Sequence, residues 1–396
     1  MAHLETQPAV QTALAAIFVS LELSQSKWLI TSLSPADGEK LSKFVVPARD
    51  VAGLRARLAE LKRRSMIRTG VDHPIICIHE AGLDGFWLHR HLEVEGVESH
   101  VVDPASISVS RRKRRVKTDR IDGEMLVRTL LAYKRGDPRV CSMVRPPDPA
   151  DEDRRRLTRE RKALMAEAVR HTNRIKGLLY GQGIVGYEPR RRDRRSKLED
   201  LVTGDGRPVD PRLKAQIVRE LGRLELVLEQ ISNCEDERDA LLASLAPVET
   251  AGQVVVGEPA KPAVPLMLLG LRGIGPETAS TLWVEGLSRH FDNRRQVASY
   301  AGLAPSHWQS GKIDHEQGVS KAGNPRLRTA IVQLAWLWVR HQPTSALTLW
   351  FKMRIAQNEG RLKKRMIVAL ARKLLVALWK YVSSGVVLEG AVMRAA

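Results

Sequence analysis

The segment PIICIHEAG, residues 74–82, decides how the first third of the chain is read. A short apolar run bounded by polar, turn-forming residues is the pattern of a strand buried in the middle of a sheet. Before it lies AIFVSLELSQSKWLITSL, residues 16–33, a β-rich run broken by SQSK and followed by the turn former SPADGEK, which reads as a hairpin. VAGLRARLAELK, residues 51–62, spaces its leucines three to four apart, as one buried helical face requires. After the central run, GFWLHRHLEVEG reads as a helix and SHVVDP as another strand, and this alternation predicts an α/β domain. The stretch KTDRIDGEMLVRTLLAYKRG, residues 117–136, follows the basic run RRKRR and is expected to start as a loop and continue as an amphipathic helix.

Downstream the pattern changes to helix alone. Residues 151–179 and 211–245 have thinly spaced apolar residues among many charges, as in long exposed helices or a coiled coil. Between them YGQGIVGYEPRRRDRRSK reads as a basic connecting loop, either solvated or in contact with nucleic acid. The Gly- and Pro-rich AGQVVVGEPAKPAVP marks a boundary. The predicted organisation is a domain at 1–145, a helical connector at 146–250 and a mainly helical domain at 251–396, an α/β plus α chain.

Lys and Arg number 64 against 45 Asp and Glu in 396 residues, a formal charge of +19 that attracts a polyanion. No apolar run reaches the roughly 18 residues of a spanning helix and no signal peptide opens the chain, so a soluble, cytoplasmic protein is expected. Cys77, Cys141 and Cys234 are too few and too far apart for a metal knuckle or a disulfide framework and read as reduced thiols.

Four acids stand out by position: Glu22 in the first strand, Glu80 at the end of PIICIHEAG, and Asp119 with Asp122 in KTDRID. Any one of them alone is ordinarily a cap or surface charge. A carboxylate on a central strand is costly to bury unless paired or bound to a cation, and Asp119 and Asp122 share a face if their segment is helical. Four converging oxygen donors suit Mg²⁺ bridged to phosphate, the arrangement of metal-dependent nucleases and polymerases.

FVSLELSQSKW, IHEAG and VKTDRID resemble, in order and spacing, the acidic motifs of the DEDD, RuvC-like transposases of the IS-one-ten insertion-sequence family. The resemblance implies an RNase H-like fold for the N-terminal domain, with Glu22, Glu80, Asp119 and Asp122 as metal ligands. The family usually has Asp where this chain has Glu22, a carboxylate on a stem longer by one methylene.

LLGLRGIGPETASTL, residues 268–282, has the look of a helix-hairpin-helix or of a plain helix-connecting turn, with Gly273 and Gly275 permitting the turn and Pro276 opening a helix. Backbone N–H groups there could receive a phosphate. Further on, AGLAP, the SGK loop and GVSKAGNPRLR, followed by an apolar helix, resemble the second domain of the same transposases. That resemblance places the nucleophile at Ser310, beside Gly311, and implies a transient link to a DNA 5′ phosphate. It also implies that the two domains combine across subunits of a homo-oligomer, and that a noncoding guide RNA made by the element is a partner.

A lone Ser-Gly pair would read as a surface turn. Lys312, Lys321, Arg326 and Arg328 surround the loop and could neutralise phosphates; His307 and His315 read as structural or phosphate-contacting. Trp336, Trp338, Trp350 and Phe351 sit in apolar helices and read as core. RLKKRMIVALARKLLVALWKYV, residues 361–382, is an amphipathic helix with a basic face. Two other readings stand beside the transposase: a RuvC-like structure-specific nuclease that needs no serine, and a catalytically silent nucleic-acid-binding protein.

Overall fold

The computed structural model describes residues 15–38, 40–82, 85–107, 119–137, 140–246, 263–310, 313–357 and 362–394; for 105, 119–122, 306–310 and 313–317 it describes the backbone alone. They form two compact units, Met1–Asp148 and Pro149–Ala396.

In the first unit, β1 (Ile17–Leu23), β2 (Lys27–Leu33) and β3 (Leu41–Pro47) form an antiparallel meander, and β4 (Ile75–Glu80) and β5 (Glu98–Val102) add parallel to β1. A two-residue β6 (Met143–Val144) closes the edge, giving the order β3-β2-β1-β4-β5-β6. Helices cover both faces, because the strands alternate between two apolar sets. Ile17, Val19 and Leu21 pack with Leu54, Leu58 and Leu61 of α1 (Val51–Thr69) and with Leu88 and Leu92 of α2 (Trp87–Val94). Phe18, Ile76, Ile78 and Val102 pack with Leu126, Val127 and Leu130 of α3 (Asp119–Lys134). Asp50 caps α1 by accepting from Gly53 N at 2.8 Å, and Gly70 ends it in the left-handed region at φ 72°.

The expected α/β domain is present, and its mixed sheet with flanking helices fits the RNase H-like class. β3 is an addition to the expected hairpin. Only Val46 of LSKFVVP is buried while Phe44 and Val45 are exposed, so this edge strand carries little of the apolar alternation that identifies a strand.

In the second unit, α4 (Pro149–Tyr180) and α6 (Pro211–Ser244) pack antiparallel, with α5 (Arg194–Glu199) in the connection. Arg161 pairs with Glu235 and His171 with Glu220, so the partners run in opposite directions along the two helices. The remaining helices are α7 (Val264–Leu269), α8 (Pro276–Leu282), which runs on through a π-helical turn at Trp283–Leu287, α9 (Arg294–Tyr300), α10 (Pro325–His341), α11 (Ala346–Ala356) and α12 (Lys363–Ser384). Their core is built around Trp338, Leu334, Leu370, Leu374 and Leu378. Between α9 and α10, β7 (Pro305–Ser310) and β8 (Ile313–Val319) form an antiparallel hairpin where the sequence suggested only a loop. Trp338 and Phe351 are core as expected. Trp336 is not: it is exposed, edge-on to Phe351 with Lys363 over its ring.

One buried carboxylate ties this unit together. Glu285 in the π-helical turn has a side chain only 1% exposed, accepts from Arg159 of α4 at 2.9 and 3.2 Å, and accepts from Asn324 Nδ2 at 2.9 Å. Burial opposes its ionisation, but the bonds from Arg159 and Asn324 and the charges of Arg159 and Arg326 outweigh that, so its pKa lies below the usual glutamate value. A depressed carboxylate pKa contributes stability above the unfolded value, roughly 4.3, that is lost as pH falls through the folded value. Arg159→Ala leaves the carboxylate buried with most of its compensation gone, which reverses the sign. The expected cost at neutral pH is about 2–3 kcal/mol, discounted because Arg159 is itself 41% exposed, and it shrinks as Glu285 protonates. Denaturant unfolding of both proteins at neutral and mildly acidic pH checks this; a cost independent of pH would exclude it.

Candidate active site

Strand alternation sets the acidic face of the first unit. Phe18 and Ser20 of β1 point toward α3, and Glu22 follows them on the same side. Ile76 and Ile78 of β4 do likewise, and Glu80 follows at the strand's end. β1 and β4 are parallel, and their last register pair, Leu21 with His79, puts Glu22 and Glu80 side by side at the carboxyl ends of neighbouring strands. Glu80 is exposed, whereas Oε1 of Glu22 is buried.

The helix bearing the aspartates comes down directly onto Glu22. Ser20 Oγ donates to Gly123 O at 2.9 Å across the buried interface. A Cβ built on Gly123 would stand 2.8 Å from Glu22 Oε1, with Thr31 Oγ1 closer still, so any larger residue would have to push the Glu22 carboxylate and the Thr31 hydroxyl aside. α3 is helical from Asp119, so Asp119 and Asp122 fall three residues apart in the turn just before that contact. Their side chains lie outside the described part of the chain. Beside them Lys43 of β3 pairs with Glu124 at 2.6 Å, and Thr31 Oγ1 is buried without a hydrogen-bond partner among the described residues.

Gly123, Ser20, Thr31 and the Lys43–Glu124 pair were not singled out by sequence. The available signal was the glycine itself, since a glycine inside a helix costs up to about 1 kcal/mol against alanine and so needs a packing reason. Among the described residues no group of three or more His, Cys, Asp or Glu side chains is arranged to hold a metal. The donor chemistry of Glu22 and Glu80, with the backbone of Asp119 and Asp122 adjacent, is all-oxygen and suits a hard divalent cation. Cys77 does not belong to it; burial pushes its thiol up to about 12.

In the second unit a backbone collar positions the serine hairpin. Ser320 N donates to Ala304 O at 2.9 Å, Lys321 N to Gly302 O at 3.2 Å and Asn324 N to Tyr300 O at 2.7 Å. Gly302 at φ 65° and Gly323 at φ 117° make this possible; a Cβ on Gly323 would stand 2.5 Å from Tyr300 O. Asn324 then caps α10 by accepting from Arg326 N and Leu327 N. From this collar β7 and β8 run out to Ser310, paired with Ile313 as the last rung. Gly311 and Lys312 lie outside the described residues, as do the side chains of Ser310, His307 and His315.

The basic residues around the hairpin separate. Arg328 Nη1 donates to Lys321 O at 2.8 Å and Ala301 O at 3.4 Å, so it fastens the collar. Lys321, at φ 57°, and Arg326 are exposed. The turn at Gly273, φ 92°, packs on His341, with a hypothetical Cβ 2.8 Å from His341 Cβ. Gly275 is in extended conformation at the start of α8. The carbonyls of Arg272 and Ile274 are taken by Gln342 and Arg394, so the turn between α7 and α8 is held by the end of α10 and by the C-terminal segment.

Two family models match the chain. One described as "Transposase IS116/IS110/IS902 family" covers residues 267–349, and a DEDD-type model described as "Transposase" covers residues 31–182. The protein "Putative transposase y4rJ" of Sinorhizobium fredii is 68% identical over 391 residues, 98% of each chain. The transposase for insertion sequence element IS1328 of Yersinia enterocolitica is 25% identical over 84% of this chain and 91% of its own. The pilin gene-inverting protein of Moraxella bovis is 36% identical over 111 residues, 28% of this chain and 34% of its own. With two matched domains in family order and a near-full-length relative, the chain belongs to the IS110 family of insertion-sequence transposases.

Proposed function

We propose that this transposase cuts and rejoins DNA strands with Ser310 as nucleophile, and with Glu22, Glu80, Asp119 and Asp122 holding Mg²⁺. The observation that carries the metal half is the seating of the first turn of α3 on Glu22 through Gly123, beside Glu80 on the next strand. Support for the serine half is the collar, which holds the hairpin ending in Ser310 by three backbone bonds that the Arg328 side chain reinforces.

In the attack the Ser310 hydroxyl oxygen bonds to a DNA phosphorus while the bond from phosphorus to the 3′ oxygen breaks. The serine proton ends on the departing 3′ oxygen, leaving a 5′ phosphoseryl ester. Attack by the 3′ hydroxyl of another strand reverses the step and frees the serine. A bound divalent cation would supply charge stabilisation at the phosphate oxygens. The carboxylates of this chain position it, and Lys312, Lys321 and Arg326 neutralise neighbouring phosphates without reading bases. Completion of the site by a second copy of the chain and guidance by a noncoding RNA of the element are part of the same reading.

Ser310→Ala is expected to abolish the protein–DNA adduct, and Asp119→Asn or Asp122→Asn to reduce it, while all three keep nucleic-acid binding; denaturing gels of reactions with Mg²⁺ present read this out. An adduct at the wild-type rate in Ser310→Ala would refute the nucleophile, undiminished aspartate variants would refute the metal site, and wild-type cleavage without any adduct would mark a water-using nuclease instead. Gly123→Ala should cost about 1–3 kcal/mol by overpacking, despite alanine's better helix propensity, and should lower adduct yield by displacing Glu22. Thermal melts with the adduct assay test it, and a variant as stable and active as wild type would remove Gly123 from the argument.

A further inference from the structure

Several cations on the α4–α6 pair and its connection are neutralised: Arg174 and Arg223 by Glu220, Arg194 and Arg195 by Glu225. Those on one stripe of α12 are not. Arg365, Arg372, Lys373 and Lys380 have no carboxylate partner among the described residues, and they line an open groove together with Lys364. The lining also includes Arg294 and Arg295 from the first turn of α9, without carboxylate partners among the described residues, and no acidic side chain among the described residues lines the groove.

The groove has the dimensions of a seat for a polymer. Its volume of about 1550 Å³ exceeds the roughly 300–1,000 Å³ of small-molecule pockets. Arg365 to Arg372 and Lys373 to Lys380 are each seven residues apart, about 10.5 Å along a helix, or about three base-pair steps of duplex. Ala369, Val376 and Ala377 lie between them in the lining, small enough to let a sugar-phosphate backbone come close. Lys373 is also set in place over the Trp350 ring, 4.8 Å from its centroid.

Pro305, Gly318 and Val319, at the base of the serine hairpin, also line the groove. From Pro305 the strand β7 advances five residues to Ser310, about 17 Å at strand rise, the axial length of about five base pairs.

We propose that this groove between α12, α9 and the base of the β7–β8 hairpin seats the phosphate backbone of duplex DNA flanking the strand attacked by Ser310. The flank-to-serine placement rests on the reading of Ser310 as nucleophile; the binding of phosphate does not. The contacts are to backbone, so they contribute affinity and register and no base preference.

The test uses the full chain carrying Arg365→Gln, Arg372→Gln, Lys373→Gln and Lys380→Gln, with a second variant limited to the exposed pair Arg365→Gln and Lys380→Gln. Fluorescence anisotropy against a labelled duplex bearing an element end, a structured RNA and phosphatidylserine vesicles is measured over a salt series. For DNA, the fourfold variant should flatten the slope of log K against log salt by about 3 to 4, the double variant by about 2, and affinity at physiological salt should fall at least about tenfold. The double variant should melt at the wild-type temperature and the fourfold variant within a few degrees of it, because none of the four is core and only Lys373 gives up a ring contact. An unchanged DNA slope overturns the proposal, as does a loss confined to RNA or to vesicles. The serine reading fails separately: if Ser310→Ala still forms adduct, that reading is wrong while the lost salt slope still identifies the groove.

Discussion

Backbone brought against backbone or carboxylate, with no room for a Cβ, is the constraint on which both candidate centres depend. At Gly123 the third helix touches Glu22 and Ser20 on the sheet, which fixes where the turn holding Asp119 and Asp122 begins. At Gly302 and Gly323 two loops of the second unit close on each other and fix the root of the serine hairpin. Neither arrangement is set by an apolar core, which tolerates repacking. Both are set by hard-sphere contact, in which one added methyl group displaces an element. The sheet acid is a glutamate, whose longer stem carries its carboxylate as far as the helix backbone, where glycine leaves space for it.

The net charge of +19 gains meaning once its pairing is known. Arginines of α4 and of the connection to α6 meet Glu220, Glu225, Glu235 and Glu285, so the basic composition there serves helix packing more than ligand attraction. The run RRRDRR reads as either a solvated linker or a nucleic-acid contact, yet Arg194 and Arg195 are spent on Glu225, and Tyr187, its phenol pushed up to about 12 by burial, bonds the carbonyl of Arg194. Charge counts along a chain therefore overstate the free cation density of paired helices and understate that of α12, where acids are absent from the face.

Much of the fold and part of the candidate site were legible because their signals are local. PIICIHEAG is a buried strand, and the long helices begin and end within two residues of where charge and apolar spacing put them. Glu22 and Glu80 could be named because each stands in or at the end of a recognisable strand within a family-like acidic motif, and alternation along the two strands then puts them on one face. What stayed hidden was non-local. β3 has one buried side chain, so its strand character comes from pairing with β2 rather than from its own pattern. The serine hairpin, SHWQS facing IDHEQ, has only Trp308 and Ile313 as large apolar residues and no apolar alternation, and the collar joins its two strands at the base. Glu285 stood in WVEGL like any helix acid, and nothing in that pentapeptide announces Arg159, 126 residues earlier.

Glu285 also shows why the connector helices matter to the serine half of the chain. Its carboxylate binds Arg159 on α4 and, on its other side, the Asn324 amide; the same asparagine's carbonyl caps α10 while its backbone N–H closes the collar on Tyr300. A displacement of α4 must therefore either break a charge-assisted bond in a buried place, which is costly, or move the cap and the root of the hairpin with it. The long helices are thus joined to the element that ends in Ser310 through one buried polar cluster. Polar clusters of this kind transmit position more faithfully than apolar contact, because their bonds have directions as well as distances.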